Sequence, residues 1–183
     1  GLTIAAALTT VIAVVVVLSA AQDRKLVRSF VPFSVCFTFW SILIALQSVP
    51  NFASSHGLFL NFLEFGWFGL PAVALHIGAT WCNRTEYKWT AAVVVAYSVS
   101  FLLWIADFFG AISSGFIELP WGTVRRAGPW YFLYAALVGA CVAASWGFSW
   151  KASRGGDPGT SCLSFCVLML LFATNSCRLM SVS

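Results

Sequence analysis

The chain has 183 residues, 60% of them hydrophobic and 9% charged, with a formal net charge of +4. A water-soluble domain carries about 25% charged residues, so this composition cannot cover a soluble globule and points to an integral membrane protein. Runs such as IAAALTTVIAVVVVLSAA lack two-residue alternation, which excludes a membrane barrel and leaves a helical bundle, because lipid demands internal pairing of every backbone amide.

The first apolar segment, Leu2 to Ala21, is long enough for one crossing at about 20 residues. The opening GLTIAA has no Met and no basic n-region, and reads as a spanning helix, not a cleaved signal peptide. A loop from Gln22 to Ser29 follows, carrying Asp23, Arg24, Lys25 and Arg28. The second segment spans 30–49, with Pro32 expected in its first turn, where a missing N–H costs little. The third, Leu58 to Cys82, contains Glu64, Pro71 and His76. The fourth spans 89–109 and ends near Asp107; the fifth spans 129–150 and opens at Pro129, a good first helical position. Between these two lies the longest connection, Gly110 to Gly128, where LPW (Leu119 to Trp121) is echoed by GPW (Gly128 to Trp130). Both read as turns at headgroup level with an interfacial Trp. GGDPG then breaks the chain. The last apolar run, Cys162 to Cys177, gives only about 24 Å of helix, marginal for a bilayer core of about 30 Å. The expected fold is therefore all-α, a polytopic transmembrane bundle over 1–160, with 161–183 as an atypical sixth segment and tail.

Basic residues set the orientation. With the N-terminus outside, seven (Arg24, Lys25, Arg28, Arg84, Lys88, Lys151 and Arg154) fall in cytoplasmic loops and two (Arg125 and Arg126) in outer loops. The acceptor-like Asn83-Arg84-Thr85 then lies on the cytoplasmic side and reads as chance.

Ionisable groups inside a membrane helix are functional candidates by default. Glu64 sits one to two turns inside its helix and reads equally well as a group reaching headgroup water. His76, 12 positions on, lies about 120° around and about 18 Å down the helix, so the two form no dyad; His76 reads as an interhelical hydrogen-bonding residue in preference to a ligand. Pro71 frees a backbone carbonyl, and with Gly66 and Gly69 before it this stretch is set to bend or to admit a close neighbour. Asp107 reads as a solvated interface charge within reach of Arg125 or Arg126.

The six cysteines show no disulfide or metal spacing, so no metal or other cofactor is expected. There is no phosphate loop, dinucleotide glycine pattern, G-x-S-x-G or H-E-x-x-H, and no lysine buried in a late helix to hold retinal. No catalytic residue is assigned, and no nucleic-acid partner is expected; the lipid bilayer is the evident partner.

The chain resembles the N-terminal seven-transmembrane region of prokaryotic sensor histidine kinases from about Leu2 to Ala152. The resemblance rests on Trp40 in FTFWSILIAL, on Phe65-Gly66 to Leu70-Pro71 followed by Asn83-Arg84, and on RAGPWYFLYAAL from Arg126 to Leu137, which includes Gly128, Pro129 and Trp130. It implies a multi-pass inner (plasma) membrane protein with an outward N-terminus, a homodimer, an unidentified stimulus and a place in two-component signal transduction. The sixth helix is short, and no seventh helix, phospho-acceptor region or nucleotide-binding domain is present. The expectation is a fragment: the sensory input half of such a protein, not itself an enzyme. The alternative is a small transporter or channel subunit.

Overall fold

The structure is a computed structural model that describes residues 24–47, 49, 56–81, 87–119 and 122–154. The expected first and sixth apolar segments, most of the 50–57 and 83–88 loops, and Cys162 and Cys166 lie outside the described residues.

Five helices and one hairpin make up the described fold: α1 (Arg24–Gln47), α2 (Gly57–Leu63), α3 (Phe65–Trp81), α4 (Tyr87–Phe108), β1 (Ser113–Leu119), β2 (Gly122–Ala127) and α5 (Tyr131–Arg154). Three stretches are long and apolar enough to cross a membrane: Gly57–Thr80, Tyr87–Phe108 and Tyr131–Phe148. Their exposure differs in a way that sets the architecture. In Gly57–Thr80, 67% of the apolar stretch is buried, against 22% in each of the other two. α3 is therefore the central helix, packed against α1, α4 and α5. A helix that is apolar all round belongs in the middle of a bundle, and FGWFGLPAVALHIGATW has no polar face to turn outward. The outward faces of α4 and α5 present Val94, Val95, Phe101, Leu102, Phe132 and Trp146, a surface suited to lipid and not to water.

Close approach of α1 and α3 depends on small residues. A Cβ on Gly66 would lie 2.4 Å from the Cys36 carbonyl oxygen and 2.7 Å from Phe39 Cβ, and one on Gly69 would lie 2.6 Å from Cys36 Sγ. Without a hydrophobic drive between helices in lipid, small residues that let backbones touch are the means of association. Cys36 itself is a buried free thiol at this crossing, where it packs with Leu70, Val73, Ala74 and Ile77.

Three readings from the sequence are corrected. The second segment does not begin at Phe30: α1 starts at Arg24, because Arg, Lys and Leu are good helix formers and nothing in RKLVR breaks the helix. Pro32 consequently lies inside α1 and not in its first turn. Within the third segment Glu64 forms a one-residue turn between α2 and α3, its amide bonded to Leu60 O (3.1 Å) and its carbonyl accepting from Phe68 N (3.0 Å), so helical bonding runs on through the single apolar span Gly57–Thr80. The longest connection contains an antiparallel hairpin, registered by Phe116↔Arg125, Ile117↔Val124 and Leu119↔Gly122, with an irregularity between Ser113 and Phe116. Finally, Pro129 and Trp130 form a turn ahead of α5, which begins at Tyr131.

Candidate functional site

The hairpin is fixed to the bundle by the turn that follows α4. Gly110 takes φ 71°, a conformation costly for any residue with a Cβ, while Gly110 N–H donates to Asp107 O (2.9 Å) and Ala111 N–H to Ala106 O (3.2 Å). This pairing of late amides with the last helical carbonyls ends α4 and turns the chain back. At the other end of the hairpin, Gly128 N–H donates to Ile112 O (2.7 Å) and Trp130 N–H to Ala111 O (2.9 Å). A Cβ on Gly128 would sit 2.8 Å from Ala111 O, so only glycine fits where the two ends of the hairpin cross.

That frame brings three charged side chains together from three elements. Arg125, on β2, reaches down between Glu64, at the α2–α3 turn, and Asp107, near the end of α4. Its Nε lies 2.5 Å from Glu64 Oε1 and its Nη1 lies 3.4 Å from Asp107 Oδ2. Nη1 also donates to Ser113 Oγ and Nη2 to Asn61 Oδ1. Ser113 in turn gives both its donors to Asp107 Oδ1, from N at 2.9 Å and from Oγ at 2.5 Å. The Glu64 side chain is 7% exposed, Asp107 1% and Arg125 15%. Charges this deeply buried must be paired, since their desolvation cost is large. The grouping overturns the reading of Asp107 as a solvated interface charge and of Glu64 as a group reaching headgroup water.

A cavity of about 80 Å³ adjoins the cluster. Leu43 and Gln47 of α1, Trp67 and Phe68 of α3, Ile112, and Tyr131 of α5 line it together with the three charged residues. Aromatic contacts stiffen the same end of the bundle. Trp104 meets Phe62 and Phe65 edge-on, and its indole N–H donates to Asn61 O (3.0 Å). Asn61 therefore holds Trp104 with its backbone and Arg125 with its side chain.

The remaining sequence candidates lie apart from this cluster. His76 Nδ1 shares a hydrogen bond with the Tyr97 hydroxyl (3.2 Å) between α3 and α4, and Glu64 is absent from its contacts. Pro71 is buried in α3; the carbonyl four residues before it, Trp67 O, accepts a hydrogen bond from Tyr134 Oη (3.1 Å). Arg126 is exposed, as its place next to Arg125 on a strand requires. Trp130 is 53% exposed. Arg125, which the sequence offers with Arg126 as a partner for Asp107, makes that pairing; Ser113, Asn61 and Tyr134 belong to the site or its support and are not singled out from the sequence. Tyr134 lies within the RAGPWYFLYAAL stretch, and strand alternation, once the hairpin is known, distinguishes Arg125 from Arg126. Among the described residues, no group of three His, Cys, Asp or Glu side chains is placed to hold a metal ion.

No protein-family model matches this chain. No curated protein matches it. No solved structure matches it.

Proposed function

We propose that this chain is the sensory input module of a membrane signalling protein, with the hairpin and the cavity beneath it as the sensing end. The observation that carries the reading is the Arg125 bridge. A single side chain on the hairpin is tied to the α2–α3 turn through Glu64 and Asn61, and to α4 through Asp107 and Ser113. Any ligand or lipid change that moves the hairpin must break or re-form this bridge, and so bears on the central helix. α3 is suited to pass such a change along, since Pro71 interrupts its backbone ladder at mid-length.

The resemblance of Trp40, Gly66, Pro71 and the Arg126–Leu137 stretch to sensor histidine kinases supports the same reading, as does the count of basic residues, which puts the hairpin outside and Arg24, Lys25 and Arg28 in the cytoplasm of a multi-pass inner-membrane protein. In this reading the output domain and the dimer contacts belong to the intact signalling protein.

The test is a chimera joining the chain after α5 to the dimerising and catalytic halves of a bacterial sensor kinase, with autophosphorylation measured in membrane vesicles. Arg125→Ala, or replacement of the hairpin by a short Gly-Ser link, is expected to shift output about fivefold or more, the lower range of allosteric couplings. Unchanged output from equal amounts of inserted chimera sinks the sensory reading. Loss of substrate flux in Glu64→Gln vesicles, with output unchanged, would favour a transporter instead.

A further inference from the structure

We propose that the Glu64–Asp107 pair is a proton-operated latch for the hairpin: the two carboxyls hold one proton between them while Arg125 is seated, and release it when the hairpin lifts. The inference rests on the sensory reading of this site and names the stimulus as the proton. It begins with how the groups meet. The Glu64 and Asp107 carboxyls are hydrogen-bonded to each other. Two ionised carboxylates are acceptors only, so this bond exists only with a proton between them. Both side chains are buried, where water does little to screen one charge from the other.

Arg125 completes the arithmetic. Its Nε faces Glu64 Oε1 at 2.5 Å. Its Nη1 gives one N–H to Ser113 Oγ and keeps the second for Asp107 Oδ2, at 3.4 Å. With one shared proton the seated cluster carries one negative and one positive charge, and is neutral. Among the described residues no further charge faces it. α1, α2 and α3 present only uncharged side chains there. α5 presents Tyr131 and Tyr134, whose phenols are of a type neutral below about pH 10.

Removing the proton changes this balance. The bond between the carboxyls is replaced by repulsion, and two carboxylates share one guanidinium in a buried place, which is costly. The cavity beside them is half open to the surface, so water reaches the pair and carries the proton away as hydronium. Glu64 and Asp107 are fixed by helical backbone, whereas Arg125 stands on the two-stranded hairpin. Lifting β2 is therefore the movement that lets water solvate both carboxylates. The seated state holds one proton more than the lifted state. Acid accordingly favours seating, and rising pH favours release by up to about tenfold per pH unit.

The experiment uses the full 183-residue chain in phosphatidylcholine nanodiscs, scanned from about pH 4 to 9, between the ordinary carboxylic and phenolic ranges. Infrared spectroscopy reads protonated carboxyls through their C=O stretch. Hydrogen exchange reads the protection of the Gly128 and Trp130 amides, which tie the hairpin to Ile112 and Ala111. Glu64→Gln and Asp107→Asn each place an amide N–H where the shared proton lies and keep one carboxylate for Arg125. Subtracting the Glu64→Gln spectrum removes the surface carboxyls. The native chain is expected to lose one further protonated carboxyl as pH rises. Over the same interval protection of the two amides should fall, by up to about tenfold per pH unit. Both variants should hold that protection constant. They retain His56 and His76, so an undiminished pH response in a folded variant traces to another group and overturns the inference. Protection that rises with pH, or no further carboxyl lost, overturns it too. Where neither variant folds, the native chain decides: carboxyl loss and protection loss at separate pH values, or neither loss, sinks the latch. The chimera separates this inference from the reading beneath it. If Arg125→Ala changes output but no coupled transition exists, the proton falls and the sensory reading stands. If the transition exists and the hairpin variants leave output unchanged, the latch stands and the sensory reading falls.

Discussion

The hydroxyl of Tyr134 donates to the carbonyl of Trp67 (3.1 Å), the acceptor whose helical partner would be the amide that Pro71 lacks. A proline inside a helix removes one i→i−4 bond. In a membrane the freed carbonyl has no water to turn to, so a neighbouring side chain must satisfy it. Tyr134, 1% exposed and stacked on Trp67, does this from α5. The interruption in the central helix is thereby also a tie between α3 and α5.

This tie predicts a particular non-additivity. Tyr134→Phe keeps the ring but leaves Trp67 O without its side-chain donor, at an expected cost of about 1–2 kcal/mol. Pro71→Ala restores an amide at position 71. In that background Tyr134→Phe should cost less than about 0.5 kcal/mol, because the backbone then supplies the donor. Reversible unfolding of the four proteins by SDS titration in mixed micelles measures the coupling. Equal costs in both backgrounds would mean that the hydroxyl does not compensate for the proline.

The Arg125 cluster gives the largest expected effect. Arg125→Met leaves Glu64 and Asp107 buried without their cation, and breaking a buried pair this way costs about 3–5 kcal/mol. The hairpin should also loosen, since Arg125 ties β2 to Glu64 and Asn61. Limited proteolysis should then cleave within 113–127 at enzyme levels that leave the native chain whole. Adding Glu64→Gln and Asp107→Asn to Arg125→Met should recover part of the loss, because neutral amides are cheaper to bury than unpaired carboxylates.

How far the sequence discloses this site depends on range. Hydrophobic length and the Pro and Gly positions belong to local stretches, so the spanning segments, the close approach at Gly66 and the freed carbonyl at Pro71 can all be read in order along the chain. The cluster joins residues 64, 107 and 125, and its legibility requires knowing that a hairpin folds back over the helices. SSGFIEL and GTVRRA are short and carry weak alternation. The Pro-Trp pair between them is not the Asn-Gly or Asp-Gly that marks a two-residue hairpin. Glu64 and Asp107 stand out only as charges in apolar helices; local context offers water to Glu64, and water or the nearby Arg125 and Arg126 to Asp107. Pro32 misleads for a different reason: the preceding Arg24 to Arg28 stretch is polar enough to read as loop, yet it is made of good helix formers.

Packing at the α1–α3 crossing predicts a contrast among glycines. Gly66→Ala must displace the Cys36 carbonyl and Trp40 amide, both backbone groups that cannot rotate away, and should destabilise the chain by about 1–3 kcal/mol. Gly139→Ala, in α5, meets nothing within 4 Å and should be neutral or stabilising by up to about 1 kcal/mol through helix propensity. Both are read from the same SDS titration. A Gly66→Ala chain as stable as the native one would show that α1 and α3 do not approach as closely as described.

The hydrogen bond between His76 and Tyr97 is expected to be structural and modest. It joins α3 to α4 near the middle of the bundle, and the two rings also meet edge to face, with centroids 6.0 Å apart. Side-chain hydrogen bonds between membrane helices average about 0.6 kcal/mol and reach about 1.7. Tyr97→Phe keeps the ring contact and removes the hydroxyl, so its cost should fall in that range. His76→Phe should cost a similar amount, and the double variant little more than either single one, since the same bond is lost once. A sensory module tolerates this exchange with its output nearly intact, because the Arg125 bridge is untouched. A transport path running through His76 would not: flux would collapse in Tyr97→Phe vesicles while stability changed by less than about 1.7 kcal/mol.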